Sequence, residues 1–526
     1  MKLNKNHHLL LVFFTLLIVI GLIFKIGYSI NKNFKKNVQI SEKCSNCNIF
    51  IIDIDLLRAD ALPCYGYDRN TAPNICSFAK KSVIFNDNYA TATWTLPSIF
   101  STTTSLYESF HGVHNEYVDK LSQEIPTLAE TLQKKGYQTA FVANWIDYAA
   151  ILTQNNGGLR GYDLVTDKPI EQVLSDLSKD SKPWFIHYYL QDLHMPYLIP
   201  EDTKPIDSKM IPPKKLLITP SDYNIALNSY LKEHYLEVFQ KEAIDKYKSI
   251  IFSKESPNDT SLTQLFYELY DSNKNQPDKY LIDAWKPRQN VYMDSFDQKK
   301  QSDLDYVRML YDTNIKILDD RLKTLLDQLA SESLSKQTIT VIMSDHGESF
   351  GEHGKFNHES DYHSELFYTP LIIRSSFLPQ KRLEQTSSNI DIFPTLLDLI
   401  DIEKPSGLQG YSLVPNINNS NFISKPYVLS EDRNGGIILQ NKNWLYFLPG
   451  DATDEKQSIL HEKKTDPNEE KNVADKYPEL TSSLYKQASI FRSYNKISDD
   501  VEKIPDPDAI QLDPKKIKRL QKEGYF

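Results

Sequence analysis

The stretch Asn48-Ile49-Phe50-Ile51-Ile52-Asp53-Ile54, followed at once by Asp55, decides how the rest of the chain is read. It is short, β-branched and continuously apolar, as a strand covered on both faces must be. It ends in carboxylates. Similar stretches recur downstream: Thr139 to Ala143, Trp184 to Leu190, Thr338 to Met343 and Leu371 to Ile373. A helical pattern over Ile125 to Lys135 stops at Gly136. Asp303 to Ala330 is strongly amphipathic, with Val307, Leu310, Leu318, Leu322, Leu325 and Leu329 near helical spacing. Strands alternating with helices predict an α/β domain around a mostly parallel sheet.

In such sheets ligands bind beyond the carboxyl ends of the strands. The first strand delivers Asp53 and Asp55, which share a face by the two-residue period. The strand at Thr338 to Met343 runs into Ser344-Asp345-His346-Gly347-Glu348, and that at Trp184 to Leu190 into Gln191-Asp192-Leu193-His194-Met195-Pro196-Tyr197. A single aspartate at a strand end is usually a cap or turn residue. Three strand ends bringing carboxylates and imidazoles to one edge instead suggest a site for a divalent cation. Between them lies Trp94-Thr95-Leu96-Pro97-Ser98, opening a helical run with proline in its first turn. Thr95 reads either as an N-cap or as a hydroxyl at a helix start, where an anion is held and a neighbouring cation activates the oxygen.

Outward from this core, the chain of 526 residues carries a net charge of -10, which does not favour a nucleic-acid partner. Leu9 to Phe24 is an apolar run that Ile26 to Ile30 extend to roughly the 20 residues a bilayer requires. A cleaved signal peptide is the competing reading, but no clear Ala-x-Ala site follows. The expected organisation is a cytoplasmic tail (1–8), a single transmembrane anchor (9–30), a lysine-rich stalk (31–47), a catalytic domain (48–415) with an insertion at 201–300, a C-terminal subdomain (416–505) and a charged tail (506–526). The main domain is expected outside the cytoplasm, periplasmic or extracellular. There Cys44, Cys47, Cys64 and Cys76 can form two disulfides, with three connectivities open. Cys44 and Cys47 also make a CxxC, which a redox or zinc role could use.

Taken in order, Ile54-Asp55-Leu56-Leu57-Arg58-Ala59-Asp60, Trp94 to Ser98, Gly136 to Ala140, Asp192 to Tyr197, Ser344 to Glu348, Phe350 to Gly354 and Asp391 to Leu397 resemble the sulfatase family of the alkaline-phosphatase superfamily. The resemblance implies a three-layer α/β/α fold with a small C-terminal β subdomain. It implies Asp55, Asp345 and His346 as metal ligands, and Thr95 as a nucleophile that also contacts the metal. His194 and His358 fall near positions that hold ester oxygens or protonate the leaving group, and Arg58 and Lys355 are weaker candidates for anion contacts. Asp53 could add a carboxylate; Leu56 stands where many relatives have a second aspartate, so the fourth ligand stays open. The cation is calcium, magnesium, manganese or zinc.

The family pattern has Cys or Ser, oxidised to formylglycine, where this chain has Thr95, and Ile99 replaces its arginine; no formylglycine is expected. The function implied is hydrolysis of sulfate or phosphate esters of a small molecule, glycan or lipid. The alternatives are a phosphoethanolamine- or phosphoglycerol-type transferase acting on envelope lipids or glycans, and a non-catalytic binding protein.

Overall fold

The computed structural model describes residues 44–114, 119–143, 152–153, 155–246, 250, 261–272, 286–358, 361–419, 422 and 425–495. The expected cytoplasmic tail, anchor, nearly all of the stalk and the C-terminal tail lie outside them. Among the described residues, no helix is long and apolar enough to cross a membrane.

The main sheet has eight strands. They are β1 (Asn48–Ile54), β2 (Val83–Phe85), β4 (Gln138–Ala143), β5 (Leu164–Thr166), β6 (Trp184–Leu190), β7 (Thr338–Met343), β8 (Leu371–Arg374) and β9 (Lys381–Leu383); β3 (Asn88–Tyr89) and β10 (Ser387–Ser388) form a separate ladder. The order is β5-β4-β6-β1-β7-β8-β2-β9, and only β8 runs antiparallel to its neighbours. β1 therefore sits inside the sheet, paired in parallel with both β6 and β7. This explains its unbroken apolar run: Phe50, Ile52 and Ile54 enter one core, while Ile49 and Ile51 enter the other.

Each core is closed by helices. On the first face lies the long helix Gln301–Leu329, which contributes Val307, Leu310, Leu318, Leu322, Leu325 and Leu329. On the second lies α1 (Thr95–Thr104), whose Leu96, Ile99 and Phe100 pack with Phe393, Leu396 and Leu397. Calling the long helix α2, its Tyr311 hydroxyl donates to the Leu56 carbonyl at 2.7 Å and accepts from the Arg58 N–H at 3.1 Å, fixing the turn after β1.

The 201–300 region contributes helices, among them Pro220–Glu233 and Ser261–Ser272, to the α2 face. The first begins where the Thr219 side chain accepts from the Asp222 N–H and Pro220 sits in the first turn. A second sheet, antiparallel, follows the core: β11 (Val428–Glu431), β12 (Ile437–Gln440), β13 (Trp444–Leu448) and β14 (Ile459–Glu462). One of its faces is covered by α3 (Pro478–Asn495) through Leu484 and Phe491, and the other packs on Tyr89, Leu366 and Phe367 of the main body. The cysteines pair as Cys44–Cys47 and Cys64–Cys76, so the CxxC is a local disulfide.

Candidate active site

The face that carries Ile49 and Ile51 also carries Asp53 and, just past the strand, Asp55. β7 repeats this alternation from Met343 to Asp345, and α1 begins above both. Backbone geometry turns sharply here: Leu56 adopts φ 64°, a left-handed conformation that a branched side chain rarely accepts. The Leu56 N–H donates to Asp345 Oδ1 at 3.3 Å, and the Leu57 N–H to Ser344 Oγ at 2.9 Å, which locks the ends of β1 and β7 together. Gly347 is required beside them, since a Cβ there would meet the Glu365 carbonyl oxygen at 2.0 Å.

Asp55, Asp345 and His346 are fully buried and each offers a ligand atom, all within 4.8 Å of one another. His346 Nδ1 lies 2.9 Å from the Gly347 carbonyl, an acceptor only, so it carries the ring proton. Nε2 is thereby left with its lone pair towards Asp55 Oδ1 at 3.6 Å, Asp345 Oδ2 at 3.7 Å and Thr95 Oγ1 at 3.2 Å. Neither carboxylate oxygen of Asp55 has a hydrogen-bond donor. Burial, and then repulsion from Asp345, push its pKa well above the usual carboxylate range. An orphaned, buried carboxylate beside another carboxylate, an imidazole lone pair and a hydroxyl fits a divalent cation, which would relieve that cost.

Thr95 is the first residue of α1, not its N-cap, which is Trp94. It is 5% exposed. The Ser98 hydroxyl donates to the Asp345 carbonyl, and Asn389 Nδ2 donates to the Ser344 carbonyl at 2.7 Å, tying the helix start to the β7 turn. Asp53 is not one of the three that converge, but it lies near enough to raise the Asp55 pKa, and its Oδ1 also has no hydrogen-bond partner. Its Oδ2 lies 3.2 Å from His187 Nε2, whose other nitrogen meets the Tyr162 hydroxyl at 3.1 Å, and burial lifts the Asp53 pKa to about 6.

His358 and His194 form a row leading away from the cluster. The His346 and His358 rings are 4.7 Å apart and the His358 and His194 rings 5.4 Å apart. Burial, reinforced by His358, lowers the His194 pKa to about 3, so it is neutral at physiological pH. His358 Nδ1 instead faces Glu348 Oε2 at 3.2 Å. Glu348 also accepts from the Tyr197 hydroxyl at 2.8 Å, and despite burial its pKa falls because His358 lies against it. The sequence alone gives Glu348 no role, and its place two residues after His346 is the one local signal for it.

Arg58 and Lys355 are not drawn into the cluster in the same way. The Arg58 guanidinium is held by Asp60 at 2.6 Å, by Glu352 at 2.7 Å and by the Glu348 carbonyl at 2.9 Å. It thus already has two carboxylate partners. Lys355 is exposed on the turn beyond Glu352–Gly354, and the structure gives its ammonium no contact with the cluster.

Comparisons with known proteins agree with this architecture. The model of the sulfatase family matches residues 47–402. An N-acetylglucosamine-6-O-sulfatase of Bacteroides thetaiotaomicron is 25% identical over 485 residues, covering 82% of this chain and 83% of that protein. Arylsulfatase K of Bos taurus is 29% identical over 213 residues, covering 38% of this chain and 39% of that protein, so the match spans about two fifths of that relative. Among solved structures, a phosphonate monoester hydrolase of Agrobacterium radiobacter superposes with a TM-score of 0.60 at 18% identity, covering 85% of this chain and 96% of that one. A protein solved with its substrate D-glucosamine-2-N,6-O-disulfate superposes with a TM-score of 0.60 at 20% identity, covering 87% and 100%.

Proposed function

The chain belongs to the sulfatase family, and on that premise we propose that it is a metal-dependent ester hydrolase in which Thr95, standing where relatives carry formylglycine, is the nucleophile. The observation that carries this reading is the convergence of Asp55, Asp345 and His346 on one point beside the Thr95 hydroxyl, with both Asp55 oxygens lacking a donor. These three residues and Thr95 Oγ1 would hold the cation. When bound, it would lower the pKa of the hydroxyl and offset charge on the transferring group.

The chain's own residues account for the rest. Thr95 Oγ1, having released its proton to solvent, attacks sulfur or phosphorus, and the bond to the leaving oxygen breaks as the new bond forms. The leaving oxygen takes a proton from a histidine. His194, neutral by burial, is poorly suited to give one. His358 is better placed, because the Glu348 carboxylate at its Nδ1 balances a positive charge on the ring. Water then gives a proton back to the His358 ring as its oxygen bonds to sulfur or phosphorus, the bond to Thr95 Oγ1 breaks, and that oxygen takes up a proton from solvent. Threonine has no route to formylglycine, so this cycle proceeds without that group.

The substrate class we favour is a sulfated sugar, because the relative matched over most of its length is an N-acetylglucosamine-6-O-sulfatase. Phosphate and phosphonate esters come second, on the likeness in fold to a phosphonate monoester hydrolase. The similar proteins reported above are sulfatases and a hydrolase by name, which favours release to water over transfer to an acceptor. We further infer that residues 9–30 anchor the enzyme in a membrane with its domain outside the cytoplasm, on the strength of their apolar run.

The deciding experiment measures turnover of glucosamine 6-sulfate, aryl sulfate, phosphate monoester and phosphonate ester by wild type and Thr95→Ala. Loss of about 10³-fold or more with metal content unchanged is expected. Wild-type turnover by Thr95→Ala would remove Thr95 as nucleophile.

A further inference from the structure

A second group of metal-type ligands lies on the segment that follows the Ser344–Glu348 turn. We propose that His353, His363 and Glu365 form a separate divalent-cation site of the zinc type, opening into a cavity of its own. Their donor atoms lie within 4.8 Å of one another. Two imidazoles and one carboxylate are a donor set that zinc favours, and three protein ligands leave a coordination position open.

Three observations support the assignment, and a fourth sets a condition on it. First, His363 Nδ1 lies 2.7 Å from Asp361 Oδ1, so its ring proton is directed to a carboxylate and Nε2 keeps its lone pair. Carboxylates behind metal-bound histidines play this orienting part. Second, the Glu365 side chain is 7% exposed, and its Oε1 has no hydrogen-bond partner although it lies 3.7 Å from His353 Nε2. A buried carboxylate oxygen left this way is costly without a cation. Third, His353 and Glu365 line a cavity of about 460 Å³ whose wall also carries Asp60, Glu352 and Glu469. Arg58 in the same wall is held by Asp60 and Glu352, and the Lys463 ammonium lies 3.8 Å from Glu469, so the carboxylates Asp60, Glu352, Glu365, Glu469 and Glu470 still outnumber these cations and favour another. None of the residues around Thr95 that hold the first cluster lines this cavity.

Fourth, the His353 and His363 rings are stacked face to face, 3.4 Å apart with planes 1° apart. Stacked rings direct their lone pairs side by side, not to one point. A cation held by both therefore requires one ring to turn, and His353, with a side chain 17% exposed, has the greater freedom. Cation binding is expected to break the stack.

The proposal is independent of the hydrolase reading, and its test is direct binding. The full-length chain is stripped of metal, titrated with Co²⁺, and followed by visible absorption, with zinc stoichiometry measured afterwards by mass spectrometry. Asp345→Asn removes a ligand of the first cluster and leaves the second site intact. In that background we expect one equivalent of Co²⁺ with an intense tetrahedral spectrum, lost on adding His353→Asn or His363→Ala and weakened about tenfold or more by Asp361→Asn. His353→Asn is the safer variant, because His353 has φ 55° and asparagine tolerates that conformation. A folded Asp345→Asn protein that binds no Co²⁺, or one whose binding survives His353→Asn, overturns the proposal.

Discussion

Side-chain identity does most at the end of β1. Asp55 is buried without a donor, and its place beside Asp345 is unfavourable unless something positive is shared between them. The same chemistry separates the two histidines beyond. His194 is neutral by burial, whereas His358 lies against Glu348. Replacing Glu348 with glutamine keeps an acceptor for Tyr197 but removes the charge behind His358. We expect Glu348→Gln to lower kcat by about 10²-fold and to move the basic limb of the pH–rate profile to lower pH, because the proton on His358 is then lost more readily. A profile that coincides with wild type would exclude His358 as the acid. The carboxylates and histidines at the strand ends were legible because each follows a clear apolar run. The difference between His194 and His358 was not, because it depends on which side chains from distant segments surround each ring.

At the level of elements, the C-terminal sheet helps to seat the segment that leads to Thr95. The Glu431 N–H of β11 donates to the Thr91 carbonyl at 2.8 Å, and the Ser430 hydroxyl donates to the Ala90 carbonyl at 2.6 Å. The Glu431 carboxylate accepts from the Ser109 N–H at 3.1 Å, and burial, then Glu108, lift its pKa to about 7. A carboxyl group whose pKa is higher folded than unfolded favours the fold when protonated. Its contribution is therefore complete below about pH 4.5, declines as the pH rises, and is gone above about pH 7. Glu431→Gln keeps an acceptor and cannot ionise. Its Tm should exceed that of wild type at pH 8 and converge with it near pH 4, as thermal unfolding across that range would show. β1, β6 and β7 matched their expected limits, because each is long enough to show an apolar run. β2, β5 and β9 escaped notice, since strands of three residues show no period.

Across the whole molecule, helices of the 201–300 region complete the core on the α2 face, while the ligand cluster lies on the α1 face. A cation bound at the cluster stabilises only the folded chain, by about 2.7 kcal/mol at a hundred times its dissociation constant. Chelation should therefore lower the Tm of wild type, and restoring the metal should recover it. Asp55→Asn should lose the part of that recovery that belongs to this cluster; an undiminished response would place the stabilising cation elsewhere. The sequence by itself determined the fold class, the strand ends that carry Asp55, Asp345 and His346, and the helix that begins at Thr95, because apolar periodicity and short ordered motifs are local properties of a chain. Only the tertiary structure decided that Arg58 faces Asp60 and Glu352, that Glu348 stands behind His358, and that His353, His363 and Glu365 gather beside a cavity lined by two of them. Those arrangements depend on distances across the fold, which no local pattern encodes.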